Sequence, residues 1–88
     1  MGSLFAAFKS IKRVVTGEVV EQMETRANGG FTTMSLRLKQ ESGSGEYYVV
    51  LAELSGGNSQ YVAFTREEFG RFSEAVDRMR DRLTAAAS

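Results

Sequence analysis

The sequence predicts an α+β domain: a four-stranded antiparallel sheet followed by a C-terminal helix, with an extra N-terminal amphipathic helix. Three observations predict it. Apolar residues recur at helical spacing near each end of the chain, over 3–16 and 65–83. Between them lie four runs with strand-like patterning. The connections between those runs are short and carry Gly, Asn or Ser, which makes sequential strands antiparallel neighbours. Residues 1–16 then form the first helix, 17–84 a ββββα unit and 85–88 a tail.

Each element has its own signal. Leu4, Phe8, Ile11 and Val15 fall on one helical face, with Lys9, Lys12 and Arg13 off it. Val19, Val20, Met23 and Thr25 suit a strand with mixed faces, and Ala27-Asn-Gly-Gly30 supplies the positive φ angles of a tight hairpin. Over 31–40, Thr32, Met34, Leu36 and Leu38 alternate with Thr33, Ser35, Arg37 and Lys39, the pattern of a half-buried strand. A flexible loop follows at 41–45. The third strand, through Tyr47–Leu54, breaks the alternation. Tyr48, Val50, Ala52 and Leu54 share one face; Tyr47, Val49 and Leu51 share the other, with only Glu53 polar. Both faces of this strand therefore demand cover. A turn at 55–59 leads to a short strand over 60–64. Thr65 and Glu68 form a capping box that opens the last helix. Phe69, Phe72, Val76, Met79 and Leu83 make its apolar stripe, read as core, and Glu67–Arg71 and Glu74–Arg78 are spaced for outer-face pairing. Residues 84–88 read as a frayed end.

Composition limits function. Eighty-eight residues form one small domain, which buries only about 60–65% of its unfolded surface. With no Cys and no His, a disulfide, the usual zinc, copper and iron ligand sets and a Cys/His nucleophile pair are all excluded. Oligomerisation is the remaining common way to enlarge such a core. Eleven Lys and Arg balance eleven Asp and Glu, against the basic excess of a strongly electrostatic nucleic-acid binder. No apolar run is long enough to span a membrane. The acid-poor, basic N-terminus is expected to dock on the domain, with a mitochondrial presequence or a membrane-surface helix as the alternatives. The compartment stays open, with nucleus or cytoplasm favoured over the mitochondrion. Gly2 suggests myristoylation, but Ala6 stands where that signal carries Ser or Thr. No convergent pair of acidic residues can be placed for acid/base work, so no enzyme activity and no cofactor are expected.

The run Ser35-Leu-Arg-Leu-Lys-Gln40, the Gly-bearing loop, Tyr48-Val-Val-Leu-Ala-Glu-Leu54, Gly56-Gly-Asn58 and Phe69 together resemble a repeat of the Pur-alpha (PUR repeat) family over about residues 17–83. Such repeats carry a strand ending in Val-Lys-Gln, a Gly-Arg-Phe-Leu-Lys-Ile-Ala-Glu-Val strand, a Gly-Gly-Asn turn and a helix with paired aromatics. The order and spacing of the motifs carry the resemblance; Whirly-like proteins share the sheet-then-helix layout. The resemblance implies a ββββα repeat that pairs with a second repeat, hence a homodimer for a chain with one. It also implies binding of single-stranded, purine-rich DNA or RNA on the sheet.

Carried over residue by residue, Lys39 and Gln40 match the family's Lys-Gln. Tyr48 sits at an aromatic position beside the bases, where stacking is worth ~1–3 kcal/mol. Arg37 adds a cation on the Lys39 face. Arg37, Lys39, Gln40 and Tyr48 are thus the candidate nucleic-acid-binding residues. Glu41, Val50 and Gln60 stand where the family carries Asn, Lys and a basic residue, departures that weaken phosphate binding. The competing expectation is a PUR-like dimerisation or protein-interaction module that has lost nucleic-acid binding, with the N-terminal helix as a possible protein contact.

Overall fold

The structure, a computed structural model, describes residues 13–87. Four strands, β1 (Glu18–Ala27), β2 (Thr32–Gln40), β3 (Tyr47–Ser55) and β4 (Asn58–Phe64), form one antiparallel sheet in sequence order, and a helix over Arg66–Ala87 closes the chain. The α+β layout and the ββββα order are those the sequence predicts. The expected N-terminal helix lies outside the described residues except for Arg13–Val15, which are helical.

The turns explain where strands begin and end. Asn28, Gly29 and Gly30 all adopt positive φ, and the Phe31 N–H donates to the Asn28 carbonyl at 3.2 Å. Between β3 and β4 the turn is Gly56–Gly57, at φ 49° and 87°. Two left-handed glycines match the twist of a two-residue hairpin. The connection is therefore shorter than the expected 55–59 turn, and β4 starts at Asn58.

Register assigns the faces of the ambiguous third strand. Tyr48 pairs with Lys39, Val50 with Arg37 and Ala52 with both Ser35 and Tyr61. On the other face Val49 pairs with Leu38 and Phe64, and Leu51 with Leu36 and Val62. The helix packs against this second face, at β3 and β4. Phe64 at the end of β4 receives it: its ring stacks on Phe72 at 5.0 Å and meets Phe69 edge-on at 5.7 Å.

The helix start is built as its sequence requires. Thr65 N–H donates to Glu68 Oε1 at 2.9 Å, and Glu68 N–H donates to Thr65 Oγ1 at 3.2 Å, a reciprocal capping box. The far end differs from the expected fray. The helix runs to Ala87, because Ala-Ala-Ala is the strongest local helix former; the Thr84 hydroxyl donates back to the Arg80 carbonyl at 3.0 Å. On the outer face an Asp77–Arg80 ion pair closes at 2.8 Å.

The apolar stripe of the helix is not core in the single chain. Phe69 is half-buried, but Phe72, Val76, Met79 and Leu83 are exposed, reaching 69% at Met79 and 66% at Leu83. Its 22 residues span about 33 Å at 1.5 Å per residue. Only the first turns lie over the sheet; the rest overhangs.

Candidate functional site

The sheet presents two surfaces of opposite character. The helix side is apolar and open. The side carrying Lys39 and Tyr48 mixes cations with apolar residues and is buried along its length on β3, at Tyr48, Val50 and Ala52, with Ser35 and Lys39 buried beside them on β2.

On the helix side, a hollow of about 350 Å³ is lined chiefly by Met23, Met34, Leu36, Leu51, Phe72 and Val76. It adjoins a second, of about 220 Å³, between Met23, Leu36, Leu38, Val49 and Phe69. The two share Met23 and Leu36 and make one groove between β1 and the helix. β1 adds little cover of its own, since every residue of it is exposed. Alternation in β2 and β3 places Leu36, Leu38, Val49 and Leu51 here. The helix is anchored at the β4 edge by its aromatic cluster, so its body does not reach across to β1.

On the opposite face, Lys39 and Tyr48 come together as register partners, and both are buried, at 6% and 1% exposure. Residues 13–17 lie against them. Lys39 Nζ donates to the Arg13 carbonyl at 3.2 Å and to the Val14 carbonyl at 2.9 Å. The Tyr48 hydroxyl is 2.9 Å from both the Arg13 and the Thr16 carbonyl. One phenolic proton serves one acceptor at a time, so the two carbonyls share it. Arg13 Cζ stands 5.3 Å from the Tyr48 ring centroid and Lys39 Nζ 5.9 Å.

Gly17 makes this closure possible. It adopts φ 79°, and a Cβ there would collide with the Tyr48 hydroxyl. A bulge between Val19 and Glu21 then sets the start of β1 on this side of the ladder, as an extra residue shifts which face a side chain takes.

Electrostatics follow from the burial. The Lys39 ammonium is held below the usual lysine range, by desolvation first and by the Arg37 guanidinium second. The Tyr48 hydroxyl is pushed above the usual tyrosine range by burial, opposed by its bond to Thr16 and by Arg13. No carboxylate among the described residues is buried with Lys39 and Arg13. Glu46 meets Arg13 only at 3.5 Å and is itself half-exposed.

The other sequence-predicted residues are placed differently. Arg37 is half-buried; its Nε donates to Ser35 Oγ at 3.4 Å and its guanidinium lies 5.9 Å from the Tyr61 ring centroid. Gln40 Nε2 donates to the Gly45 carbonyl at 3.0 Å and braces the 41–46 loop. That loop also closes on itself through Gly45 N–H to Glu41 O and Glu41 N–H to Glu46 O, both at 2.9 Å. Arg37, Lys39 and Tyr48 therefore share one face, with Gln40 at its loop end. Sequence reasoning missed Arg13, Gly17 and Tyr61. Tyr61 was reachable: a two-residue Gly-Gly turn sets it opposite Ala52 and on the Tyr48 face. Arg13 had no signal, because its contact spans 35 residues.

Among the described residues no group of acidic side chains is arranged to hold a metal ion, and no helix is long and apolar enough to cross a membrane. Comparison with protein-family models, curated proteins and solved structures finds no match.

Proposed function

We propose that this chain is a PUR-like homodimerisation module, in which a second copy covers the helix-side face. The open apolar groove carries this reading. Burying apolar surface contributes roughly 25 cal/mol per Å², and a chain of this size has little core to spare. The groove and the overhanging stripe Val76–Met79–Leu83 lie side by side. A two-fold axis would place each stripe in the other copy's groove, an isologous pairing. The resemblance to PUR repeats, which pair, agrees with this arrangement. Sedimentation equilibrium on the full chain tests it. A dimer that Met79→Glu converts to monomer is the expected outcome; a wild-type monomer at concentrations well above micromolar overturns it.

A second reading is single-stranded nucleic-acid binding on the opposite face, through Arg37, Lys39, Gln40 and Tyr48; it requires Lys39 and Tyr48, both buried here, to become accessible. It is favoured by the Arg37–Tyr61 contact, which sets a cation beside an exposed ring on that face. Fluorescence anisotropy with labelled purine-rich single strands at two salt concentrations decides it. Salt-sensitive binding supports it; no binding at low salt removes it.

A further inference from the structure

We infer that residues 1–12 run from Arg13 across the Lys39–Tyr48 face and seal its middle, so that this face of the sheet is a docking site for the chain's own N-terminus. The dimer proposed above uses the other face, and the two assignments stand or fall separately.

The middle of this face is buried more deeply than its described neighbours explain. Ser35, Val50 and Ala52 are at 0%, 1% and 0% exposure. Residues 13–17 reach only the Lys39–Tyr48 end, through the carbonyls of Arg13, Val14 and Thr16. The C-terminal helix sits on the other side of the sheet, held there by Phe64. A sheet face closes fully only under a second layer of structure. Among the described residues no element supplies that layer over Ser35, Val50 and Ala52.

Where the described chain begins identifies the occupant. Arg13, its first residue, is buried and pinned by its carbonyl to Lys39 and Tyr48, at one end of the face. Twelve residues precede it. Even as a helix, the more compact form, they reach about 18 Å at 1.5 Å per residue. Ala52 is four residues from Tyr48, or roughly 13 Å along β3. The segment also carries the bulk that the face lacks. Leu4, Phe5, Phe8 and Ile11 are large and apolar, with no acidic residue among the twelve. Ser35 and Ala52 beneath are small, which lets a covering segment approach closely. At Arg13–Val15 the stripe expected from spacing turns away from the sheet, since Val15 is exposed and Arg13 buried. Phe5 and Phe8 are therefore changed together in the test below. Such a cover makes the nucleic-acid reading conditional, because a strand reaches Lys39 and Tyr48 only after the N-terminus leaves.

A nitroxide on the full chain tests this. The sequence has no cysteine, so Ser3→Cys gives a single attachment point. Amide signals of isotope-labelled protein are compared with the nitroxide oxidised and reduced. The expected result is loss of signal at Ser35, Val50 and Ala52 in the oxidised form, with Val76 and Leu83 on the C-terminal helix unaffected. Adding Phe5→Glu and Phe8→Glu should restore the lost signals; Phe5→Ala and Phe8→Ala serve if the Glu pair unfolds the chain. Loss at Val76 and Leu83 with Ala52 unaffected puts the segment in the apolar groove and overturns the assignment. Mixing isotope-labelled wild type with spin-labelled chain at natural abundance separates the copies. Equal loss in that mixture assigns the cover to a second molecule and overturns the docking of the chain on itself. No loss in any sample overturns it, and so does loss that survives both pairs of substitutions.

Discussion

Lys39 and Tyr48 dominate the residue scale, because each is an ionisable group buried against backbone carbonyls. The Lys39 shift is downward, so the folded chain binds that proton more weakly than the unfolded chain. Stability from this site therefore rises with pH, from the lowered value up to the ordinary lysine value. The Tyr48 shift is upward. The folded chain keeps that proton where the unfolded chain loses it, so stability falls as pH climbs past the ordinary tyrosine value. Together the two shifts make this site's contribution to stability rise with pH below the ordinary lysine value and fall above the ordinary tyrosine value, around pH 10. Urea titrations of the full chain across the alkaline range check it, and Lys39→Met should flatten the rising limb. Tyr48 was named from the sequence through the resemblance, as an aromatic candidate; its place beside Lys39 came from the register. Its burial was not legible, because alternation assigns faces and says nothing of what lies over them.

The C-terminal helix and the β3–β4 hairpin set the element scale. The capping box was fully legible, since Thr65 and Glu68 need only local geometry to meet. The Glu68 carboxyl is held below the usual range, first by the Thr65 backbone N–H. Its stabilisation is present above the ordinary glutamate value and lost as pH falls through the lowered one. Thr65→Ala should cost about 1 kcal/mol, read as a lower urea midpoint with unchanged slope. At the hairpin, Gly57 holds φ 87°. Gly57→Ala should cost about 1–2 kcal/mol, because a Cβ disfavours the left-handed region; the same titration reads it. The hairpin length was misjudged from sequence because Ser55, Asn58 and Ser59 all look like turn residues, whereas the two glycines suffice and the ladder takes the rest.

At the scale of the whole molecule, the apolar groove and the overhanging stripe set behaviour in solution. A dimer that covers them makes the melting temperature depend on protein concentration. Leu83→Glu, a change on an exposed helical position of the single chain, should then abolish that dependence and lower the melting temperature at high concentration. A purely surface role would leave both unchanged. Scanning calorimetry over a hundredfold range of concentration separates the two. The stripe was read as core because helical spacing reports only that one face is apolar. It does not report whether the sheet is wide enough, or the helix placed centrally enough, for one chain to bury it.

The sequence by itself determined the order of elements, the antiparallel sheet, the capped helix and the alternation of β2 and β3, since each follows from local periodicity and turn chemistry. The tertiary structure decided which face the helix takes, how far it overhangs, and that Arg13–Gly17 lie on Lys39 and Tyr48. Those outcomes depend on packing between elements, which local periodicity does not report. Here the anchoring of Phe69 and Phe72 on Phe64 sets the helix to one edge, and a left-handed Gly17 lets the entering chain lie against a buried tyrosine.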